Sequence, residues 1–198
     1  AVTNALSTQV EVTVYRDGGE HFIRFLNGAA AAPVARIGDC PKKRSGTMVR
    51  AWPDPKYFDV PNVILPQLER ALRSKAVLLP GVNVTLHTEK TGETRTWSYP
   101  DGLRGYLTEA MTEQDMAVPI FAKEKFIPKG GDSGYAEGEG AAWAIVWSAE
   151  GTIVRESYVN LIPTWSGGTH DSGLRDGVFN AVKGFAELHG LLPKGVKL

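Results

Sequence analysis

The sequence predicts an α+β fold built in two layers, because antiparallel hairpins alternate along the chain with separate amphipathic helices. Three stretches carry that expectation. Val10, Val12 and Val14 alternate with Glu11, Thr13 and Tyr15, the two-residue period of a half-buried strand. Arg16-Asp17-Gly18-Gly19 supplies a tight turn, and His21-Phe22-Ile23-Arg24-Phe25 returns as the second arm of a hairpin. Pro66 then opens a helix whose Leu68, Leu72, Lys75 and Leu79 fall on one face.

The remaining elements follow in order. Residues 1–7 read as a helix end with no N-cap before it, which raises the expectation that the chain was cut from something longer. The alanines from Ala29 to Ala32 with Pro33 form a weakly structured stretch, closed by Ile37-Gly38-Asp39. Residues 45–54 are a strand stopped by Pro53, and Pro80-Gly81 ends the helix over 66–79. Residues 82–88 and 94–99 make a second hairpin around Lys90-Thr91-Gly92, and Asp101-Gly102 introduces a short helix over 103–111.

Residues 112–141 carry Pro119, Pro128 and a cluster of glycines and serines from Gly130 to Gly140, the composition of a surface excursion. The domain boundary is therefore expected near residue 112, giving domains 1–112 and 113–198. A strand over 142–147, a turn at Ala149-Glu150-Gly151, a strand over 153–160, a Gly167-Gly168 turn and a helix over 174–189 complete the chain.

Composition narrows the function classes. With 198 residues, 42% of them hydrophobic, the chain fits one large domain or parts of two. Basic and acidic residues are equal at 22 each, which argues against a surface given over wholly to nucleic acid but permits a local basic patch. The single Cys40 cannot form an internal disulfide, as expected for a reducing cytosol. No apolar run approaches the roughly 20 residues that span a bilayer, so a soluble cytoplasmic protein without membrane contact is expected. There is no GxxxxGK[ST], GxGxxG, CxxC or HExxH pattern, and the four histidines lie on different elements, which makes a metal site improbable.

Specific motifs carry the reading further. Glu156-Ser157-Tyr158-Val159-Asn160-Leu161-Ile162-Pro163-Thr164, then Gly167-Gly168-Thr169-His170 and Gly173-Leu174-Arg175, resemble the transducer segment of bacterial type IIA DNA topoisomerase B subunits. The run from Leu191 to Leu198 matches as well. Upstream, Val2-Thr3-Asn4-Ala5-Leu6-Ser7 is similar to the helix behind that family's ATP lid, and Ser45-Gly46-Thr47-Met48-Val49 to the strand on the floor of its nucleotide pocket. Leu161-Ile162-Pro163-Thr164 and the Leu-Leu-Pro-Lys-Gly-Val ending lean towards the topoisomerase IV branch, with the gyrase B subunit as the alternative. A mismatch-repair or chaperone ATPase is disfavoured by the stretch from Gly167 to His170, while a non-catalytic DNA-binding or dimerisation module of the same ancestry stays open.

The resemblance implies the end of a GHKL-type ATPase domain followed by the start of a ribosomal-protein-S5-like transducer. It also implies ATP and Mg2+ as cofactors of the intact protein. Expected partners are the topoisomerase A subunit, a second B subunit, double-stranded DNA and aminocoumarin-type inhibitors. The family's catalytic Glu, Mg-binding Asn and adenine-reading Asp have no counterpart in this chain, nor does the lysine of its Gln-Thr-Lys loop. The chain alone is therefore expected to be inactive, since phosphoryl transfer rests on those positioning and charge-neutralising groups.

Four residues stand out by resemblance. Thr47 is the counterpart of a threonine that shares a water with the adenine-reading Asp, although an ordinary strand threonine only packs or bonds a neighbour. Val49 lies two residues on, towards the same face, and either lines the adenine pocket or packs in a core. Arg16 matches an arginine that contacts aminocoumarins at the pocket mouth; without the resemblance it is a solvated strand-end charge. Arg175 falls on a helix lining the DNA cavity, where a guanidinium engages phosphates without reading sequence. Its alternative is an ion pair with Asp171 or Asp176. Gly167 and Gly168 are expected to give backbone freedom, Thr169 or Asp171 to cap the last helix, and His170 to be a satisfied structural residue, with a pH-sensitive contact as the alternative.

Overall fold

The computed structural model describes residues 2–60, 62–111, 116–130, 134, 136–148 and 154–192. The chain divides into two compact units, Ala1–Leu65 and Pro66–Leu198. The boundary expected near residue 112 falls at residues outside the described ones, inside the second of these units.

The first unit is a short helix, α1 (Val2–Ala5), and a sheet of β1 (Ser7–Arg16), β2 (Gly19–Leu26), β3 (Ala29–Ala30), β4 (Ala35–Asp39) and β5 (Gly46–Pro53). The hydrogen-bonded order is β3-β2-β1-β5, with β4 also on β2. Asp17 and Gly18 turn the first hairpin with φ of 52° and 79°, both positive, as a two-residue turn matched to strand twist requires. The expected weak stretch at Ala29 and the Ile37 segment are both paired: β3 and β4 share the free edge of β2. Burial on β1 does not follow a two-residue period. Ser7, Val10 and Thr13 are its buried residues, so both faces of this central strand are partly covered.

Cross-strand rows fix which side chains share a face. Val12 stands opposite Ile23 and Val49, and Val14 opposite His21 and Thr47. On the other face Glu11 stands opposite Arg24 and Arg50 and pairs with Arg24 at 2.8 Å.

The second unit begins with α2 (Leu65–Leu78), the hairpin β6 (Asn83–Thr88) and β7 (Glu93–Ser98), and α3 (Gly102–Ala110). Its core is Ala76, Val77 and Tyr99, with Val84, Trp97, Leu103 and Tyr106 packed against them. The expected apolar stripe of α2 is displaced. Ser74, Ala76 and Val77 are its buried residues, whereas Leu68 and Leu72 are half-buried and Leu79 is exposed. Small side chains let the helix approach Tyr99 closely, and that packing decides the rotation of α2. Arg73 donates to the Tyr99 hydroxyl at 2.8 Å and to Glu109 at 3.0 Å, and the Tyr99 hydroxyl donates to the other Glu109 oxygen.

The segment read as an irregular excursion contains a strand. β8 (Phe121–Phe126) pairs antiparallel with β9 (Gly140–Ile145). Lys123-Glu124-Lys125 hides it from periodicity because the ribbon exposes charged residues on both faces. The strand expected over 153–160 shrinks to β10 (Tyr158–Val159), paired with β11 (Ile162–Pro163) across Asn160-Leu161, with φ of 54° at Asn160. Residue 153 and the turn expected at Ala149-Glu150-Gly151 lie outside the described residues, as does the run from Pro193 to Leu198.

The last helix, α4 (Thr169–Leu188), starts earlier than expected. Its N-cap is Gly168 and no side chain caps it, so neither Thr169 nor Asp171 fills the expected role. Gly167 at φ 72° makes the turn, whereas Gly168 at φ 163° is extended. Glycine's freedom is therefore needed at Gly167 alone.

Candidate functional site

Three of the four expected site residues meet on one face of the first unit's sheet. Thr47 and Val49 sit on β5 in the rows of Val14 and Val12, and Arg16 follows Val14 by two residues on β1. Alternation therefore places Arg16, Val14 and Val12 on the face that holds Thr47 and Val49. The whole of β5 is exposed, Val49 at 58%. This face has the chemistry of one wall of a pocket for a flat, partly apolar ligand: valines beneath, a hydroxyl at Thr47 and a cation at the rim. The Arg16 side chain is 78% exposed and stands 3.4 Å from Asp17.

The fourth, Arg175, lies on the second turn of α4 in the second unit. Its Nε stands 3.8 Å from Asp171, beyond hydrogen-bond reach. Asp171 is engaged elsewhere, accepting from Arg155 at 2.7 Å. Arg175 thus keeps an exposed guanidinium that makes no hydrogen bond to Asp171, whose Oδ2 accepts from Arg155. The hydrogen bond from Arg155, helped by the charges of Arg155 and Arg175, holds the Asp171 carboxyl below its usual range against the opposing effect of desolvation.

That shift fixes a sign. A carboxyl whose folded pKa is depressed stabilises the fold above its unfolded pKa, and the stabilisation fades as pH falls through the folded value. Asp171→Asn is expected to melt earlier than the parent at pH 7, with the two curves converging as pH falls below the usual carboxylate range. Thermal unfolding across that range checks it; an equal gap at both ends would mean the effect is not the Arg155 ion pair.

The structure also brings together side chains that the sequence does not single out as a set. Glu156 accepts from the Tyr106 hydroxyl at 2.8 Å and from the Tyr158 hydroxyl. Burial, then the bond to Glu156, pushes the Tyr106 hydroxyl up to about 12 and raises Tyr158 likewise. Ser157 Oγ lies 2.6 Å from His170 Nε2 and 2.6 Å from Thr164 Oγ1, so the exposed His170 ring is hydrogen-bonded to the segment before α4. Lys75 donates to the Leu161 carbonyl, and Arg70 stacks 4.1 Å from the centre of the Trp165 ring. One cue is available in the sequence: Trp165 interrupts a glycine-rich, polar stretch where an exposed indole is unusual.

Among the described residues no helix is long and apolar enough to cross a membrane. Comparison with known proteins gives a consistent picture. The family described as DNA gyrase B matches residues 102–198. The DNA topoisomerase 4 B subunit of Pseudomonas aeruginosa is 45% identical over the whole chain, and that of Escherichia coli strain K12 is 43% identical over the whole chain. The chain spans only 30% of the length of each. Among solved structures, the topoisomerase IV ATP-binding domain of Francisella tularensis in complex with a small-molecule inhibitor superposes with a TM-score of 0.74 at 32% identity. That match covers 100% of this chain and 51% of the other. The 43K ATPase domain of Thermus thermophilus gyrase B, solved with an aminocoumarin, gives 0.77 at 23% identity over 98% of this chain and 51% of that one, and it supports the α+β fold alone.

Proposed function

We propose that the chain belongs to the B subunits of bacterial type IIA DNA topoisomerases and serves as the middle of the ATP-driven subunit of a topoisomerase IV. In that reading the intact protein binds ATP with Mg2+, closes as a dimer of B subunits, and passes one DNA duplex through a break made in another by the A subunit. It does so in the cytoplasm. The observation that carries this is 43–45% identity along the whole chain to subunits named for topoisomerase 4, which favours that branch over gyrase.

Within the intact protein, residues 1–112 act as the last part of the GHKL ATPase domain and residues 113–198 as the first part of the transducer. Thr47 and Val49 form one wall of the adenine pocket, and Arg16 guards its mouth. The support is their common face on the β1–β5 pair and their exposure there. Arg175 faces the transported DNA, supported by a guanidinium without a hydrogen-bonded carboxylate among the described residues. The chain alone, lacking the metal ligand, base and phosphate lysine, turns over no ATP.

The pocket assignment has a direct test. In the complete protein, Thr47→Ala is expected to weaken binding of a non-hydrolysable ATP analogue by about 1–2 kcal/mol, the scale of a lost hydrogen bond in a buried site. Arg16→Ala acts instead on aminocoumarin affinity. Calorimetric titration measures both, and unchanged nucleotide affinity in a folded Thr47→Ala protein returns Thr47 to a purely structural role.

A further inference from the structure

Two adjoining hollows flank α2 in the second unit. One, of about 220 Å³, is lined by Gln67, Arg70, Arg155, Ser157, Thr164 and Trp165 among others. The other, of about 420 Å³, includes Arg73, Arg95 and Trp97, and the two share Arg70, Ser74 and Glu156 as a common wall. Four arginines therefore line the two hollows between them.

Three of those arginines are engaged. Arg73 holds Glu109 at 3.0 Å, Arg95 holds Glu69 at 2.7 Å and Arg155 holds Asp171 at 2.7 Å. Arg70 differs. Its nearest carboxylate, Glu156, stands at 3.7 Å, too far for a hydrogen bond, and both Glu156 oxygens already accept from tyrosine hydroxyls. Among the described residues its guanidinium makes no hydrogen bond, yet it is not loose. It lies over the Trp165 ring at 4.1 Å, and stacking by one face leaves the in-plane N–H fork available for a planar anion.

Trp165 is 68% exposed, so much of the indole can still take a stacked ring. The hydroxyls of Ser157 and Thr164 stand in the same wall. At about 220 Å³ the hollow lies below the roughly 300–1,000 Å³ of sites for drug-sized molecules, which limits the occupant to about one ring.

We propose that the Arg70–Trp165 corner binds a small flat aromatic anion, its ring on the indole and its phosphate or carboxylate on the Arg70 fork. This site is separate from the Thr47 face and does not depend on the ATPase reading.

The probes are phenyl phosphate and benzoate, with inorganic phosphate and benzyl alcohol as partial ligands, titrated into the 198-residue chain by calorimetry and tryptophan fluorescence. At least one aromatic anion is expected to saturate, and to bind at least about tenfold more tightly than either partial ligand, because ring and charge act together. The tighter of the two identifies the headgroup class. Arg70→Gln and Trp165→Leu are each expected to weaken it by about tenfold or more with the melting temperature retained. Arg70→Lys, which keeps the charge and loses the planar fork, serves the same purpose if Arg70→Gln melts early. Absence of saturation by both anions overturns the proposal, as does equal binding of benzyl alcohol or an affinity that survives the substitutions at Arg70 and Trp165.

Discussion

Tyr99→Ala is expected to lower the stability of the second unit by about 3–5 kcal/mol, the largest effect expected of a single truncation among the described residues. Tyr99 is 5% exposed and forms a core with Ala76 and Val77, residues too small to close over the space its ring would leave. Its hydroxyl also bridges Arg73 on α2 and Glu109 on α3, which pair directly at 3.0 Å as well, so truncation removes one of two links between the helices besides opening a cavity. Tyr99→Phe separates the two contributions. It keeps the ring and loses only the hydroxyl, for a cost of about 1–2 kcal/mol. Chemical denaturation of both variants beside the parent reads the difference. A Tyr99→Ala protein as stable as Tyr99→Phe would mean that the ring is not central to this core.

Arg175→Gln is expected to have the largest functional effect. In the complete protein the basal rate of ATP hydrolysis is spared, while DNA-stimulated hydrolysis and decatenation fall several-fold. Because Asp171 bonds Arg155 and stands 3.8 Å from Arg175, losing the Arg175 charge costs the fold at most about 1 kcal/mol. Any larger change must come from what the exposed guanidinium meets in solution. Removing one phosphate-bound cation reduces the salt slope of DNA binding by about 1, so wild type and variant converge as ionic strength rises. ATPase rate against DNA concentration at two salt concentrations tests it. Equal stimulation of both proteins at low salt removes Arg175 from the DNA path.

Much of the first unit is legible from local chemistry. The valines of β1, the Asp17-Gly18 turn and the strand ending at Pro53 each announce themselves, and they pair as those signals require. Local chemistry fails where tertiary packing decides. The rotation of α2 is set by the small residues that meet Tyr99, not by its most apolar stripe. β8 is held by its partner β9 despite three consecutive charged residues. The start of α4 is hidden because Thr169, His170, Asp171, Ser172 and Gly173 are individually poor helix formers. Gly167 nevertheless turns the chain into the helix, and Asp171 and His170 find partners in Arg155 and Ser157.

The candidate site divides in the same way. Thr47, Val49 and Arg16 can be named because a local motif resembles a known one, and the sheet register then brings them to one face. Arg70 and Trp165 are far apart in sequence, and neither belongs to a recognisable chemical motif. Only the fold sets the guanidinium over the indole and leaves its carboxylate neighbour occupied.

The most direct test of the central claim is strand passage by the complete protein. Mixed with its A subunit, Mg2+ and ATP, it is expected to decatenate interlinked DNA circles and relax supercoils, with no activity when ATP is omitted. Folded, complete protein that binds DNA and its A subunit yet changes no linkage in the presence of ATP would contradict the account, and would leave a DNA-binding or dimerisation module in its place.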